Sequence, residues 1–392
     1  MALSRKAGFV AVAYAFGVTM LSTTLPTPLY PLYRDKLGFS ELTVTLVYAA
    51  YAVGVLAALI AFGNVSDAIG RRRVLLPGLT AAVLSAIVFL TAANLLMLFI
   101  GRVLSGLAAG LFTGTATATL VDLVPHRDRA RGSLVATLVN MGGLGVGPLL
   151  AGVLAEYVGA PLRVTFVVDL VLLVPAFVGV LLAPETVTET SRPRRPSLAV
   201  PRQVRAVFGQ AALTGFAGFV VLGTFTAVSP AALGQLLHQH NLAVVGVVVF
   251  VVFAASTAGQ LALPLFRTRV GLPAGALTLT LGAILIAVAL WRESLTLLIV
   301  GGVVAGLGQG LGFRAGIAAV STAVSADRRA GVTSALFTVL YIGISVPVVG
   351  IGIAAQSAGL KTASVGAALA VAVLELVAAI SLIVHPVGGT ER

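Results

Sequence analysis

The sequence predicts an all-α membrane protein, with twelve transmembrane helices in two pseudo-symmetric six-helix bundles. Of its 392 residues, 58% are hydrophobic and only 10% are charged, whereas soluble domains carry about 25% charged residues. Continuous apolar runs, each as long as a helix needs to cross a bilayer, recur along the whole chain. A transmembrane barrel would instead show alternating segments of about 10 residues, so the runs indicate helices.

Twelve spans are separated by short polar breaks, and one longer polar stretch follows the sixth. The first run is too long for the apolar region of a signal peptide, so it is assigned as a span. The polar stretch 184–206 is rich in proline and arginine, which is typical of a linker. The predicted domains are an N-terminal bundle at 1–183, a cytoplasmic linker at 184–206 and a C-terminal bundle at 207–392. The predicted spans are 8–30, 41–63, 74–93, 95–121, 132–158, 163–183, 207–229, 242–266, 272–290, 295–322, 332–356 and 363–384.

The loop charges predict the orientation. With the N-terminus inside, the cytoplasmic loops and termini hold 18 of the 25 basic residues and the outer loops hold 5. Because basic residues concentrate in the cytoplasmic loops of membrane proteins, both termini are predicted to be cytoplasmic. The formal net charge of +12 is therefore explained by topology, and no nucleic-acid partner is expected.

The two predicted bundles share a sequence pattern. Equivalent residues fall in equivalent spans, and a parallel repeat of this kind predicts a substrate site between the halves, near mid-membrane. Shared low complexity is the alternative, since glycine and leucine are abundant. The matches are Gly106, Leu107, Gly110 and Leu111 with Gly306, Leu307, Gly310 and Leu311, then Asp128, Arg129 and Gly132 with Asp327, Arg328 and Gly331, and Pro148 with Pro347.

The most specific motif lies between spans 2 and 3, where Gly63, Asp67, Gly70, Arg71 and Arg72 are spaced as G-x-x-x-D-x-x-G-R-R. This resembles the G-x-x-x-D-x-x-G-R-[RK] signature of the major facilitator superfamily, and the resemblance extends to the twelve spans and the central loop. It implies a transporter in which two helical bundles rock about a central site. The alternative is an ordinary basic turn at the cytoplasmic face.

Asp122, at the predicted cytoplasmic end of span 4, lies in the same layer as this motif and is expected to bind Arg71. A charge cluster of this kind can hold one global conformation and release it in another, so these residues form a predicted conformational switch. The loop after span 8, Arg267-Thr-Arg269-Val-Gly271, keeps basic residues but has no acid.

Span 4 contains Arg102, Gly106 and Gly110 in an R-x-x-x-G-x-x-x-G pattern that resembles the second motif of the family. A cation within the membrane is costly unless it faces a wet cavity or a partner. The resemblance implies that Arg102 takes part in coupling, as it does in proton antiporters of the family. The alternative is an arginine that reaches the outer surface.

Span 5 resembles the G-x-x-x-G-P-x-x-G-G motif of drug:proton antiporters, with an alanine in place of one glycine. Glycines at four-residue spacing leave one helix face bare for close packing. The proline lacks an N–H, so the Leu144 carbonyl loses its helical partner and the helix can bend. These residues are predicted to form a hinge and a seal, or alternatively only a packing face: Gly143, Gly147, Pro148, Ala151 and Gly152.

While Glu156 lies near the outer end of span 5, two acids fall well inside predicted spans, Asp169 in span 6 and Glu375 near the middle of span 12. Ionising a carboxyl in hydrocarbon is expensive, so each is a candidate proton carrier. The resemblance places spans 6 and 12 at the periphery of the fold, which leaves a structural role equally open. Many multidrug relatives carry an acid in span 1, and this chain has none there.

Polar and aromatic residues in the spans that the family places centrally are candidates for coupling or for lining a cavity. Tyr48 and Tyr51 are three residues apart and share a helix face. Packing is the alternative for any single tyrosine or threonine. Besides Arg102 and Gly106, the set comprises Tyr48, Tyr51, Asn140, Gln210, Gln309 and Arg314, with Tyr14, Thr23, Thr214, Gln260 and Tyr341 as further members.

These observations predict a secondary transporter of the bacterial inner membrane that exports a drug-like or amphipathic compound in exchange for protons. Symport or uniport of a specific metabolite, anionic if Arg102 and Arg314 bind it, is the alternative. No phosphate-binding G-x-x-x-x-G-K-[ST] stretch indicates an ATP-driven pump, and no nucleophile–base group indicates an enzyme. With no cysteine and no histidine cluster, no metal or other cofactor is expected. A monomer is expected, with a small-molecule substrate, protons and lipid as partners.

Overall fold

A computed structural model describes residues 3–62, 65–187, 199–266 and 268–385. Gly63, the first residue of the signature motif, lies outside the described residues. The described part of the chain forms fifteen α-helices. They are α1 (Arg5–Thr24), α2 (Tyr30–Leu37), α3 (Glu41–Phe62), α4 (Val65–Ile69), α5 (Arg72–Leu90), α6 (Leu95–Leu123), α7 (Arg129–Tyr157), α8 (Pro161–Leu182), α9 (Arg205–Ala227), α10 (Ser229–Gln235), α11 (Leu242–Ala262), α12 (Thr268–Arg292), α13 (Leu295–Ala323), α14 (Ala326–Ala358) and α15 (Leu360–Val384).

Twelve helical stretches among the described residues are long and apolar enough to cross a membrane, which confirms the predicted number. Most of their bounds lie within a few residues of the predicted ones. The first span differs most, because it runs over 5–37 where the sequence predicts 8–30.

Span 1 is longer because it is broken and then resumes. α1 ends at Thr24, a short 3-10 turn covers Thr27–Leu29, and α2 continues from Tyr30. Pro26 lacks the N–H that would bind the Ser22 carbonyl, so the regular helix cannot pass this point unchanged. Gly38, with φ +71°, ends α2 in the left-handed conformation that glycine adopts without strain.

The chain divides into two compact units. Unit 1 comprises Met1–Phe39 and Ala50–Pro196, and unit 2 comprises Ser40–Ala49 and Ser197–Arg392. The first part of α3 therefore groups with unit 2 and the rest with unit 1. The middle of the predicted linker 184–206 lies outside the described residues.

Each unit contains a close helix pair built on two glycines. In unit 1, a Cβ on Gly106 of α6 would overlap the Tyr51 carbonyl of α3, and a Cβ on Gly110 would lie 2.6 Å from the Ala58 side chain. In unit 2, a Cβ on Gly310 of α13 would overlap the Ser256 carbonyl of α11. Such small-residue contacts let helix backbones approach closely within a membrane. The repeat that the sequence predicts thus has equivalent contacts, of span 4 on span 2 and of span 10 on span 8.

Candidate functional site

The signature motif builds a charge cluster at one end of unit 1. The Arg71 guanidinium pairs with Asp67 and with Asp122, whose Oδ2 lies 3.3 Å from Arg71 Nε. The same guanidinium donates to the Ser66 hydroxyl at 3.0 Å. The Arg71 side chain is only 13% exposed, so the pairs are partly shielded from water. The contact that the sequence predicts between Arg71 and Asp122 is present.

A third acid, which the sequence analysis missed, joins this cluster. Glu185 follows span 6, and its two carboxylate oxygens accept the backbone N–H groups of Arg71 at 2.9 Å and Arg72 at 3.1 Å. These amides stand at the start of α5, where no carbonyl of the same helix can accept them. A carboxylate here also interacts favourably with the helix dipole. An acid directly after span 6, beside a strongly basic linker, was the available signal.

Other residues of the cluster make contacts with further spans at the same end of unit 1. The Arg72 side chain donates to the Leu181 carbonyl of α8 at 3.1 Å, and Arg5 of α1 donates to the Asp122 carbonyl at 2.5 Å. Gly70 has φ +111°, and a Cβ there would lie 2.7 Å from Glu185 Oε2. Spans 4 and 6 therefore contact the turn between spans 2 and 3, and span 1 joins the cluster through Asp122 of span 4.

Arg102 is enclosed within unit 1. The residue is 2% exposed, and its Nη1 donates to the Thr23 carbonyl of α1 at 2.6 Å. The guanidinium carbon lies 4.8 Å from the centre of the Tyr51 ring, which is a favourable cation–π contact. This burial excludes the alternative in which Arg102 reaches the outer surface. Thr23 stands in the last turn of α1, where carbonyls lack helical partners and can accept from a side chain.

The glycine face of span 5 packs on α1. A Cβ on Gly143 would overlap the Gly17 carbonyl, and a Cβ on Gly147 would overlap the Leu21 carbonyl and the Thr24 hydroxyl oxygen. Gly152 is also buried on α7. The described contacts of Gly143 and Gly147 are thus to span 1 of their own unit.

Pro148 lies inside α7 and frees the Leu144 carbonyl, as the sequence predicts. The Thr24 hydroxyl of α1 donates to that carbonyl at 2.9 Å. A buried carbonyl without a partner is costly, so this bond stabilises the proline site. The sequence analysis missed Thr24, although the polar run Ser22-Thr23-Thr24 directly before Pro26 marked the segment.

The two intramembrane acids have different surroundings. Asp169 is 2% exposed, and its carboxylate oxygens lie 2.5 and 2.6 Å from the Ser22 hydroxyl of α1. Glu375 is 0% exposed on α15, and neither of its carboxylate oxygens has a hydrogen-bond partner among the described residues. Asp169 thus has a polar partner that Glu375 lacks.

Unit 2 holds a polar chain between α11 and α13. The Ser256 hydroxyl donates to Gln309 Oε1 at 2.5 Å, and Gln260 Nε2 lies 3.5 Å from the same hydroxyl. Arg314 Nη1 donates to the Gln260 carbonyl at 2.8 Å. Gln309 Nε2 is buried without a hydrogen-bond partner in the described part of the chain. The structure therefore brings Gln309 and Arg314 into one region.

Other candidates lie apart from these groups. Tyr48 is buried and shares a hydrogen bond of 2.7 Å with the Thr226 hydroxyl, both within unit 2. Gln210 donates to the His385 carbonyl beyond α15 at 2.9 Å, so its amide is used at a helix end. Asn140 is half-buried on α7. Among the described residues, no group of three or more potential ligands could hold a metal ion.

Twelve helical stretches in the described part of the chain are apolar and long enough to cross a membrane, and cations and carboxyls are buried among them, which is typical of a multi-pass membrane transport protein. The sequence matches the family described as Major Facilitator Superfamily over residues 9–346, and the chain belongs to that family. It is a transporter and not an enzyme.

The relatives extend this assignment. An uncharacterised MFS-type transporter of Mycobacterium tuberculosis is 30% identical over 194 residues, which is 49% of this chain and 27% of that protein. A putative multidrug resistance protein, MdtD, of Salmonella paratyphi A is 28% identical over 260 residues, which is 66% of this chain and 52% of that protein. The matched region thus covers about half of MdtD (52%) and a smaller part of the mycobacterial transporter (27%).

Two solved structures share the fold. A bacterial homologue of the human lysosomal transporter Spinster, in an inward-facing and unoccupied conformation, superposes with a TM-score of 0.73 at 15% identity over 98% of this chain and 99% of that one. The human organic anion transporter MFSD10 superposes with a TM-score of 0.69 at 18% identity, over 97% of this chain and all of that one (100%). At these identities the likeness shows the fold alone.

Proposed function

We propose that the protein is a secondary active transporter that works by alternating access and exports a small drug-like or amphipathic compound in exchange for protons. One observation supports the proton coupling above the others: Asp169 is a carboxyl buried in the middle of a span and bound by a serine hydroxyl. The described residues show no ion pair for it. Because a lone carboxylate is expensive in hydrocarbon, a bound proton is the partner that fits. Glu375 is the second candidate carrier.

The Arg71 cluster is the proposed switch. It joins the turn between spans 2 and 3 to the ends of spans 1, 4 and 6 through bonds that involve Asp67, Asp122 and Glu185. Each of these bonds is charge-assisted, so the cluster stabilises one arrangement of helix ends strongly. Alternating access then requires that at least some of these bonds break in the opposite conformation.

Two observations support the proposed substrate class and the proposed direction of transport. The matched MdtD proteins are named as putative multidrug resistance proteins, and the span 5 motif resembles that of drug:proton antiporters. The proposed location is a bacterial inner membrane, with both termini in the cytoplasm and the protein acting as a monomer.

A second candidate function is symport or uniport of a specific anionic metabolite. The observation that favours it is in unit 2, where half-buried Arg314 is connected to Gln309 through hydrogen bonds of Gln260 and Ser256. The buried amide nitrogen of Gln309 has no hydrogen-bond partner among the described residues. Both groups are hydrogen-bond donors and would suit a carboxylate or phosphate.

The two functions differ in the direction of proton movement. In proteoliposomes with an internal pH dye, a gradient of ethidium should drive protons the opposite way if the protein is an antiporter. A gradient of salicylate should instead carry protons in its own direction, or none, if the second function holds. Asp67→Asn should abolish the ethidium-driven signal, and Asp35→Asn, at an exposed pair with Arg34, is the matched control. Ethidium movement without opposite proton movement would contradict antiport.

A further inference from the structure

Three consecutive residues of α1 each form a hydrogen bond with a different residue that is a candidate for the transport mechanism. The Ser22 hydroxyl binds Asp169, the Thr23 carbonyl binds Arg102, and the Thr24 hydroxyl binds the Leu144 carbonyl. All of these contacts lie within unit 1. We infer that Asp169 and Ser22 form a proton-binding site, and that the segment 22–24 transmits its occupancy to Arg102 and to the proline break of span 5. This inference rests on the proposed proton coupling.

The position of the segment explains why it can make these contacts. α1 ends at Thr24 because Pro26 interrupts the helix. The last turn of a helix has carbonyls without helical partners, so the Thr23 carbonyl is available to a guanidinium. Consecutive residues of one helical turn move together, and a displacement of Ser22 therefore displaces its two neighbours.

The geometry at Asp169 suits a proton that comes and goes. Both carboxylate oxygens lie within hydrogen-bond distance of one hydroxyl, which has a single hydrogen to donate. When a proton binds one carboxylate oxygen, the acid O–H can donate to the serine oxygen while the serine donates to the other oxygen. Proton binding thus turns one shared hydrogen bond into two, and the negative charge of Asp169 disappears.

Most charged groups on the helices packed against α8 stand near helix ends, and the buried Arg102 of α6 binds the Thr23 carbonyl beside Ser22. α8 packs against α1, α5 and α7. On α1, Tyr14 donates to the Leu172 carbonyl of α8, while Arg5 and Lys6 stand at the helix start. On α5, Arg72 donates to Leu181 at the far end of α8, next to Arg73. The remaining charged and titratable groups stand at helix ends: Arg129, Arg131, Glu156 and Tyr157 on α7, and Arg163 on α8.

One replaceable hydrogen bond connects the segment to span 5, next to the close contact of Gly147 with Thr24. Pro148 cannot donate to the Leu144 carbonyl, and the Thr24 hydroxyl takes its place at 2.9 Å. If Ser22 shifts when the proton leaves Asp169, this bond lengthens and α7 becomes free to bend at Pro148. Glu375 has no polar partner among the described residues through which it could act in the same way.

Two measurements on the full-length protein in lipid nanodiscs test the inference. The first is the infrared band of protonated carboxyl groups across a pH titration. Asp169→Asn should lose a band that titrates, and Ser22→Ala should shift its frequency. The second is hydrogen–deuterium exchange of the α7 amides near 144–147, with the intrinsic pH dependence of amide exchange divided out. The protection of these amides should fall as the pH rises and the proton leaves.

The variants separate the proton site from its transmission. Thr24→Val should keep the titrating band but lose the pH-dependent change in protection at 144–147, and Thr24→Ser should restore it. Thr19→Val is the matched control, because the buried Thr19 hydroxyl bonds only the Ala15 carbonyl of its own helix in the described structure, and it should change neither readout. A titrating band that survives unchanged in Asp169→Asn, or an α7 response unchanged in Thr24→Val, would overturn the inference. Neither measurement uses a transport substrate, so failure of the ethidium assay alone would overturn only the proposed antiport.

Discussion

The carboxylate of Glu185 accepts the backbone N–H of Arg71 at 2.9 Å, although 114 positions separate the two residues in the chain. Its second oxygen accepts the next amide, so one side chain from the end of span 6 closes the start of α5. The switch region is therefore held by backbone amides as well as by the ion pairs of Arg71.

Removal of this cap should weaken the turn between spans 2 and 3. Glu185→Ala leaves two helix-start amides without a carboxylate, and a side-chain cap contributes about 1 kcal/mol. We expect a lower unfolding temperature in detergent and faster proteolysis at the turn. Asp35→Ala removes an exposed acid of unit 1 that pairs with its neighbour Arg34, and serves as the control. Equal stability of both variants would show that the cap is dispensable.

Gly70→Ala should be more damaging than the same change at Gly38. Both glycines have positive φ, at +111° and +71°, so alanine is strained at either site, by about 1–3 kcal/mol. At Gly70 the new methyl group would also lie 2.7 Å from Glu185 Oε2, whereas nothing lies within 4 Å at Gly38. The difference between the two unfolding temperatures combines the contact with Glu185 and the larger backbone strain at φ +111°. If Gly38→Ala is the more destabilising change, the described packing at Gly70 is wrong.

Some of these relationships follow from sequence and others need the fold. Arg71 and Asp122 could be paired from sequence because both lie at the same predicted end of their spans. The position of Glu185 beside the basic linker marked it as a candidate, but its partners could not be predicted because they are backbone amides without a sequence signature. Tyr48 and Tyr51 share a helix face as predicted, yet one bonds Thr226 and the other stacks on Arg102. Periodicity fixes which residues cross the membrane, but the rotation of each helix decides which of them meet.

Arg102→Ala should insert into the membrane normally and lose transport. The variant removes the hydrogen bond to Thr23 and the contact with the Tyr51 ring. Insertion should be unaffected because span 4 loses a charge and becomes more apolar. Arg102→Lys keeps the charge but cannot reproduce the planar guanidinium over the ring, so we expect partial loss. The measurement is ethidium uptake into proteoliposomes, normalised to the amount of inserted protein and compared between each variant and the wild type. Full transport by Arg102→Ala would remove this residue from the mechanism.

The ion pair between Glu293 and Lys361 should make stability depend on pH. The hydrogen bond from Lys361, at 2.7 Å, lowers the pKa of the exposed Glu293 below its usual value. A lowered pKa in the folded state means that the contribution is present above the unfolded pKa and is lost as the pH falls through the folded pKa. The unfolding temperatures of the wild type and Lys361→Met should therefore differ slightly near neutral pH and converge in acid. Divergence in acid would contradict this pairing.

The glycine contacts between α11 and α13 predict a sharp contrast between two similar substitutions. A Cβ on Gly310 would overlap the Ser256 carbonyl, so Gly310→Ala forces two helix backbones apart, whereas a Cβ on Gly350 would meet nothing within 4 Å. Overpacking of this kind costs about 1–3 kcal/mol, and alanine at an open helical position is neutral or favourable because glycine is the poorer helix former. Gly310→Ala should lower the unfolding temperature and broaden the size-exclusion peak, and Gly350→Ala should match or exceed the wild type. Because Gly110 holds the equivalent place in unit 1, Gly110→Ala should reproduce the loss; a harmless Gly110→Ala would show that the two units do not depend on the same close contact.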